Sequence, residues 1–394
     1  MGRHITLFVT GGIAAYKVPL LARLLIKQGD SVRVAMTQAA TKFVTPETLA
    51  ILTKAPVVTD GSEFDHPEHV AHVELAHWTD LAIVVPATAN TLAKLAMGLA
   101  DNVVTTTLLA TAAPKLLIPA MNDQMWANPQ TQANIAHLKD LGYQLLPPET
   151  GFLAEGYAAP GRMPEPETIQ LFINAQSQLT SLAGKTILIS AGGTRERLDP
   201  VRYLTNDSSG KMGAALANVA AAAGAKVTVV STKALEVLPS VTVQRVESAQ
   251  QLAQAMTSQP ADIVIMAAAV ADFRPVTTAA NKIKKTADND EFKLELVKNP
   301  DILAALGHQK QPGQIVVGFA AETTDLLANA TVKLEQKGAD MIVANQVGKA
   351  DTGFNVDANA VTILRPHHTP ISLPKASKLT IAKQIFDVML QANA

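Results

Sequence analysis

Short runs of Val, Ile and Leu recur along the first part of the chain and alternate with longer segments rich in Ala, Leu and Lys. The apolar runs cover residues 5–9, 31–36, 81–85 and 115–118. The intervening segments carry apolar residues at the three- to four-residue spacing of a helix. Strands that alternate with helices are typical of βαβ units, whose strands pair in parallel. The pattern therefore predicts an α/β fold with a mainly parallel sheet.

The same alternation resumes in the second part of the chain. Its apolar runs cover residues 186–190, 226–230, 262–266, 315–318 and 341–344. Residues 168–184 predict a closing helix and a short linker, whereas the Lys- and Asp-rich residues 277–298 predict an excursion or flap. A chain of 394 residues exceeds what one hydrophobic core usually organises. We therefore predict two Rossmann-like domains, residues 1–178 and 184–394.

Each half opens with an apolar strand, a glycine turn and a helix, at residues 5–17 and again at residues 186–213. Glycine lets backbone N–H groups approach an anion closely, and the N-terminus of the following helix adds partial positive charge. Two such openings predict two ligands.

The first opening, TGGIAAYK, differs from a plain dinucleotide site. It lacks the full G-x-G-x-x-G pattern, and no acidic residue follows the second strand. Thr10, Thr37 and Thr88 fall instead near the carboxyl ends of predicted strands, where an open α/β sheet holds its ligand. A phosphate-bearing cofactor such as flavin mononucleotide (FMN) fits this set, and simple turn chemistry is the alternative.

Two motifs follow predicted strands directly, PATANT at residues 86–91 and PAMNDQMW at residues 119–126. Asn90 and Asn122 offer amides suited to a carboxylate or to the edge of an isoalloxazine ring. Met121, Met125 and Trp126 would supply an apolar wall. The alternative is that the asparagines cap helices and that Met and Trp fill the core.

Four of the nine histidines crowd into residues 66–77, which invites a metal site. We reject it because the segment has no H-E-x-x-H motif and the chain has no cysteine. The apolar surroundings of His72 favour one histidine that faces a pocket. His66, His69 and His77 are interpreted as surface histidines.

Composition narrows the class of protein. The formal net charge of −1 does not favour electrostatic binding to nucleic acid or anionic membranes. The absence of cysteine excludes disulfides and thiolate nucleophiles. No apolar run approaches the length of a membrane span, so we expect a cytoplasmic small-molecule enzyme.

At this point the motifs match a known family. The whole chain resembles the bifunctional phosphopantothenoylcysteine decarboxylase / phosphopantothenate-cysteine ligase family of coenzyme A biosynthesis. The first half carries the family's flavoprotein motifs GGIAAYK, HVELA, PATANT, PAMNDQMW and PGRMPEP. The second half carries its ligase motifs AGGTRERLDPVRYLTNDSSGKMG, AAAVADFRP, KIKK, KNPDI, GFAAET and KLEQKGADMIVAN.

For the first half, the resemblance implies FMN-dependent decarboxylation of 4'-phosphopantothenoylcysteine to 4'-phosphopantetheine. His72 would be the catalytic histidine, and Asn122 would hold the departing carboxylate. The expected FMN-binding residues are Gly11, Gly12, Thr37, Thr88, Ala89 and Asn90.

The chain departs from the family in the flap motif, which normally reads G-x-L-A-C-G with a cysteine that donates the final proton. Residues 151–156 read GFLAEG, so Glu155 takes the cysteine's place. One hypothesis is that Glu155 donates the proton, since a carboxylic acid can do so when burial keeps it protonated. The alternative is an active ligase with an impaired decarboxylase half.

For the second half, the resemblance implies that CTP activates the phosphopantothenate carboxylate as an acyl-cytidylate, from which the amine of cysteine displaces CMP. Asn206 would contact this intermediate, and Lys282 would sit over the α-phosphate. Mg²⁺ is expected with the triphosphate, without side-chain ligands of its own. The expected CTP-binding residues are Ala267, Ala268, Asp272, Lys282, Asn299, Pro300, Asp301, Ile302, Phe319, Lys333 and Lys337.

The resemblance also implies trimers of the flavin domain and dimers of the ligase domain, which together form a dodecamer. Two rival hypotheses stay open at the level of sequence. One is a flavin-binding regulatory protein that has lost catalysis, favoured by Glu155. The other is an NAD(P)-dependent oxidoreductase with tandem Rossmann domains.

Overall fold

The computed structural model describes residues 2–63, 68–177, 179–284, 292–322, 324–346 and 356–391. The chain divides into two compact units, Met1–Ile173 and Asn174–Ala394. In the first unit the elements are β1 (His4–Val9), α1 (Val18–Lys27), β2 (Ser31–Met36), α2 (Pro46–Thr53), β3 (Val57–Thr59), α3 (Ala71–Trp78), β4 (Leu81–Ala87), α4 (Ala89–Ala96), α5 (Val103–Ala110), β5 (Lys115–Pro119), α6 (Asp123–Ala127), α7 (Pro129–Asp140), β6 (Gln144–Leu145), β7 (Glu149–Phe152), β8 (Ala158–Arg162) and α8 (Pro166–Ala175).

The first unit is built on a six-stranded sheet in the order β3-β2-β1-β4-β5-β6. All five pairings are parallel. Every residue of β4 is buried, as a strand covered by helices on both faces requires. Phe8, Val84, Leu92 and Leu117 belong to one core cluster between this sheet and its helices. The strand order reverses between β1 and β4, which opens a crevice at the carboxyl ends of these strands.

The second unit repeats this plan and extends it. Its elements are β9 (Thr186–Ala191), β10 (Arg195–Arg197), β11 (Tyr203–Thr205), α9 (Lys211–Ala222), β12 (Lys226–Ser231), β13 (Thr242–Arg245), α10 (Ala249–Thr257), β14 (Ile263–Met266), β15 (Phe273–Pro275), β16 (Leu296–Lys298), α11 (Ile302–His308), β17 (Ile315–Glu322), α12 (Leu326–Lys337), β18 (Met341–Gln346), β19 (Ala358–Leu364), β20 (Ile371–Ser377) and α13 (Lys378–Gln391).

Its eight-stranded sheet has the order β13-β12-β9-β14-β17-β18-β19-β20. The first six strands pair in parallel, whereas β19 and β20 join antiparallel at one edge. Leu188, Val264, Val316 and Ile342 lie in its core. The reversal of strand order falls between β9 and β14, at the same place in the plan as in the first unit.

These sheets confirm the predicted α/β class with two mainly parallel Rossmann-like sheets. The apolar runs that predicted strands coincide with β1, β2, β4, β5, β9, β12, β14, β17 and β18. The two-stranded sheets β7–β8, β10–β11 and β15–β16 had no counterpart in the prediction. The predicted domain bounds stay a prediction, and part of the predicted excursion, residues 285–291, lies outside the described residues.

In the part of the chain that the structure describes, none of the helices combines the length and the apolar character needed to cross a bilayer.

Candidate active sites

The first unit has a cavity of about 830 Å³ where β1, β2, β4 and β5 end. Its volume lies in the range of small-molecule and cofactor pockets. Asn122 and Glu155 line the cavity. So do all six residues predicted for the cofactor: Gly11, Gly12, Thr37, Thr88, Ala89 and Asn90.

The glycine turn after β1 approaches its neighbours too closely for a side chain. A Cβ atom at Gly11 would lie 2.4 Å from the Cβ atom of Ala39. Thr10 stays below the cavity, where its hydroxyl donates to the carbonyl of Pro86 at 2.6 Å and accepts from the N–H of Thr88 at 3.2 Å. The Thr88 hydroxyl also caps α4. The part of the cavity wall formed by the glycine turn and the start of α4 thus presents backbone, hydroxyl and amide groups, which suit a phosphate and an isoalloxazine edge.

A buried lysine joins the helical turn after Gly12 to the segment after β8. The Lys17 ammonium donates to the carbonyl of Met163 and to the Glu165 carboxylate, both at 2.9 Å. Arg162 contacts the same carboxylate. Partial burial acts to raise the pKa of Glu165, but the hydrogen bond and charge of Lys17, with Arg162, lower it overall. Sequence reasoning quoted both motifs without predicting this contact.

Asn122 lies at the cavity wall, held at both ends of its amide. Its Oδ1 accepts from the N–H of Gln124 at 2.9 Å, so it caps α6 as the alternative interpretation proposed. Its Nδ2 donates to Glu155 Oε1 at 3.0 Å and to the Tyr157 hydroxyl at 3.1 Å. The Tyr157 hydroxyl in turn donates to Asp123 Oδ1 at 2.6 Å. This bond raises the pKa of Tyr157 and lowers that of Asp123.

Glu155 and Tyr157 both belong to the loop of the β7–β8 hairpin, which sequence analysis identified only as a flap motif. Gly156 lies between them with a positive φ of 90°, a conformation that favours glycine. The resulting turn directs both side chains to Asn122. Met121 and Met125 line the same cavity, whereas Trp126 packs against the core cluster.

His72 is not among the residues that line this cavity. It lies on α3, half-buried, and its Nδ1 is 2.5 Å from Glu63 Oε1. His69 precedes α3 and pairs with Glu74 at 2.7 Å, and His77 is exposed. His66 lies outside the described residues. Among the residues that the structure describes, no cluster of three or more His, Asp or Glu side chains is placed to hold a metal ion.

The second unit has a cavity of about 810 Å³ at the carboxyl ends of β14, β17 and β18. Asn206 lines it, and so do Ser208, Ser209 and Gly210 at the start of α9. Ten of the eleven residues predicted for CTP line it as well: Ala267, Ala268, Asp272, Asn299, Pro300, Asp301, Ile302, Phe319, Lys333 and Lys337.

Hydrogen bonds fix several of these side chains. Asn206 Nδ2 donates to the carbonyl of Val270 at 3.0 Å, and Asn299 Nδ2 donates to that of Ala271 at 2.8 Å. Asp301 caps α11 and pairs with Lys337. Burial acts to raise the pKa of Asp301, but the Lys337 hydrogen bond, the cap and the two lysine charges lower it overall.

Lys282 is exposed and is absent from the residues that line the cavity. The next residue, Ile283, is held on both sides of its backbone. Its N–H donates to Asp199 Oδ2 at 3.1 Å, and its carbonyl accepts from Arg202 at 2.6 Å. Desolvation opposes the charge of Asp199, but Arg202 and three backbone N–H groups hold its pKa far below the usual range. Lys282 therefore extends from a segment anchored to the Asp199–Arg202 pair.

Sequence reasoning missed three buried polar residues of this lining: Asn345, Asn359 and Lys378. All three are nearly buried, and Asn345 and Asn359 come from β18 and β19. Burial lowers the pKa of the Lys378 ammonium, and the charge of Lys211 lowers it further. The KLEQKGADMIVAN motif ends at Asn345, so that motif held a signal for one of them.

Comparison with known proteins separates the same two parts of the chain. A family model described as "Flavoprotein" matches residues 1–178. A second, described as "DNA/pantothenate metabolism flavoprotein C-terminal domain", matches residues 182–392. Two solved structures are similar to parts of the chain. The C-terminal domain of a coenzyme A biosynthesis bifunctional protein CoaBC is 41% identical, with a TM-score of 0.46, over 55% of this chain and 100% of that chain. A mutant PPC decarboxylase complexed with pantothenoylaminoethenethiol is 32% identical, with a TM-score of 0.41, and the match covers 44% of this chain and 99% of that chain.

Two relatives of similar length match nearly the whole chain, and both bear the name coenzyme A biosynthesis bifunctional protein CoaBC. The Vibrio parahaemolyticus protein is 44% identical over 392 residues, which cover 98% of both chains. The Bacillus subtilis protein is 43% identical over 396 residues, which cover 97% of this chain and 95% of the relative. Identity of this level in both halves leaves one conclusion, that the chain belongs to the CoaBC family of bifunctional coenzyme A biosynthesis proteins.

Proposed function

We propose that residues 1–178 form an FMN-dependent phosphopantothenoylcysteine decarboxylase domain and residues 184–394 a CTP-dependent phosphopantothenate-cysteine ligase domain. The observation that carries the proposal is the grouping of residues: in each unit a cavity lies at the strand-order reversal, and all six residues expected for FMN line the first while ten of the eleven expected for CTP line the second. Membership of the CoaBC family supports both activities, and no relative reported above favours an impaired decarboxylase half.

In the first domain, Gly11, Gly12, Thr37 and residues 88–90 would hold FMN. A bound flavin supplies a reversible two-electron acceptor, which the substrate needs because no neighbouring group can absorb the electrons left by departing CO₂. Asn122 orients the substrate carboxylate through its side-chain N–H groups. Glu155 donates a proton to carbon after CO₂ has left, in place of the usual cysteine.

The lining of the first cavity supports an oligomeric site. His72 of the partner subunit would complete the cavity in the expected trimer, since the cavity's own chain does not bring its His72 into the lining. Large apolar side chains of the first unit are exposed, with Met97 at 75%, Phe152 at 68% and Leu109 at 64%. Such side chains would be available to a subunit interface, which buries contiguous apolar surface. Trimers of this domain and dimers of the other would give the dodecamer.

In the second domain, the phosphopantothenate carboxylate attacks the α-phosphorus of CTP, and pyrophosphate leaves with the electrons of the broken P–O bond. The amine of cysteine then attacks the acyl carbon, loses a proton and releases CMP. The backbone at the start of α9 and Lys282 would stabilise negative charge on phosphate oxygens, while Asn206 positions the intermediate. Mg²⁺ would enter with the triphosphate.

The proposal is tested by mass spectrometry of the products formed from phosphopantothenate, cysteine and CTP by the FMN-loaded protein. We expect 4'-phosphopantetheine, CMP and pyrophosphate. Lys282→Gln should stop amide formation but still decarboxylate added 4'-phosphopantothenoylcysteine, and Asn122→Ala should show the opposite pattern. A protein that stays colourless after FMN is supplied, or that ignores CTP, would refute the proposal.

A further inference from the structure

The side-chain amide of Asn122 already holds a carboxylate. Its oxygen is committed to the N–H of Gln124, which leaves Nδ2 as the group that faces the cavity. One N–H of Nδ2 donates to the Tyr157 hydroxyl and the other to a carboxylate oxygen of Glu155. Both N–H groups therefore have acceptors, so a ligand carboxylate can bind this amide only by displacing one of them.

The two acceptors differ in how firmly they are held. The Tyr157 hydroxyl is tied to Asp123 by a 2.6 Å bond, and Asp123 belongs to α6, which Asn122 itself caps. Glu155 is exposed, and within the described residues Asn122 is the group to which its carboxylate is bonded. Of the two acceptors, Glu155 loses less on leaving Asn122 because it exchanges one hydrogen bond for water.

We propose that Asn122 is a carboxylate-binding group that Glu155 occupies in the resting protein, and that the carboxylate of the substrate displaces Glu155 from it. The inference rests on the proposed decarboxylase function and deepens it. Glu155 then sets specificity between substrate and product, because a ligand that has lost its carboxylate cannot compete for Asn122. Decarboxylation lets Glu155 return and favours release of product.

The test uses two ligands that differ only in the carboxylate and that cannot react, since a hydroxyl replaces the thiol. They are 4'-phosphopantothenoylserine and 4'-phosphopantothenoyl-aminoethanol. Their dissociation constants are measured by calorimetry on the FMN-loaded full chain, for the wild type and for Glu155→Gln and Glu155→Ala. Gln keeps an oxygen that accepts from Asn122 but removes the charge, whereas Ala removes both.

We expect Glu155→Ala to tighten binding of the serine ligand about 3- to 10-fold, as one net hydrogen bond would, with Glu155→Gln between Ala and wild type. The aminoethanol ligand should bind all three proteins within about twofold. When Asn122 is also replaced by Ala, the Glu155→Gln and Glu155→Ala proteins should bind the serine ligand with equal dissociation constants. The side-chain N–H donor for which residue 155 and the ligand compete is then absent.

If Glu155→Gln and Glu155→Ala tighten binding of the serine ligand equally while Asn122 is retained, the inference is overturned. The loss of charge repulsion alone would then explain the tighter binding. Weaker binding of the serine ligand by Glu155→Ala would also overturn it, since Glu155 would then hold the ligand directly. A wild-type protein that binds neither ligand would instead count against the proposed decarboxylase function.

Discussion

Gly161 on the β7–β8 hairpin, where it packs against the backbone before Asn122, is the most informative position for a single added methyl group. Its φ is +141°, a conformation that residues with a side chain rarely adopt. A Cβ atom there would lie 2.2 Å from the carbonyl oxygen of Met121, whereas ordinary contacts begin near 3.4 Å. Gly161→Ala therefore forces the hairpin and the Met121–Asn122 backbone apart by about 1 Å, the deficit in that contact.

The cost combines backbone strain of about 1–3 kcal/mol with a steric term of similar size. A separation of this size also breaks the 3.1 Å hydrogen bond from the Met121 N–H to the Gly161 carbonyl and the 3.0 Å contact between Asn122 and Glu155. The hairpin covers part of the cavity wall, so we expect it to detach rather than the unit to unfold. FMN affinity should fall about tenfold or more, since each 1.4 kcal/mol is a factor of ten.

Gly156→Ala is the matched control on the same hairpin. Gly156 has a φ of +90° but no atom within 4 Å of its added Cβ, so this variant carries the backbone strain without the collision. FMN affinity is measured by quenching of flavin fluorescence, and the ligase rate of the same preparation reports an intact second domain. If Gly161→Ala and Gly156→Ala lose the same FMN affinity, the collision with Met121 has no role and the reasoning fails.

Two further outcomes are expected. Asp30→Asn should destabilise the first unit at pH 7 by about 1–3 kcal/mol, the cost of a lost charged hydrogen bond. Burial acts to raise the pKa of Asp30, but the Arg3 guanidinium lowers it overall, so the stability that the ionised carboxylate contributes is present above about pH 4 and is lost as the pH falls through the folded-state pKa. Urea unfolding should therefore show that the difference in stability between wild type and variant shrinks in acid. Lys337→Met should raise the KM for CTP about tenfold with little change in that for cysteine, while Lys310→Met, whose ion pair lies outside the ligase cavity, should change neither.

Sequence reasoning succeeded where strands are buried on both faces. β4 and β14 are entirely buried, so each is a continuous apolar run that needs no tertiary information to identify. It failed for β7 and β8, whose sequences ETGF and AAPGR contain glycine and proline and no regular alternation. These strands exist because they pair with each other, and that pairing is not visible in either segment alone.

The site was predictable to the extent that its residues follow strands. Thr37 and Thr88 come directly after β2 and β4, Asn122 follows shortly after β5, and parallel strands bring their carboxyl ends to one edge. The contact of Lys17 with Met163 joins residues 146 positions apart, which no local pattern encodes. His72 shows the converse, since a motif can predict a role for a residue whose side chain lies outside the cavity lining of its own chain.

The two cavities occupy the same place in two similar sheets, so we expect the difference between their ligands to follow from the charged side chains around the strand ends. Among the described residues, three basic and three acidic side chains line the first cavity, and its basic groups are engaged with Asp101 or Glu165. Five lysines and three acidic side chains line the second. A balanced lining suits a cofactor with one phosphate and a large apolar ring, which hydroxyl and amide groups can orient without excess charge. A lining with surplus positive charge suits a triphosphate, whose charge must be offset while its α-phosphorus is attacked. The same fold can thus serve two reactions because the side chains around the ends of its strands differ in charge, and three of the lysines that set the second cavity apart, Lys333, Lys337 and Lys378, lie on helices α12 and α13.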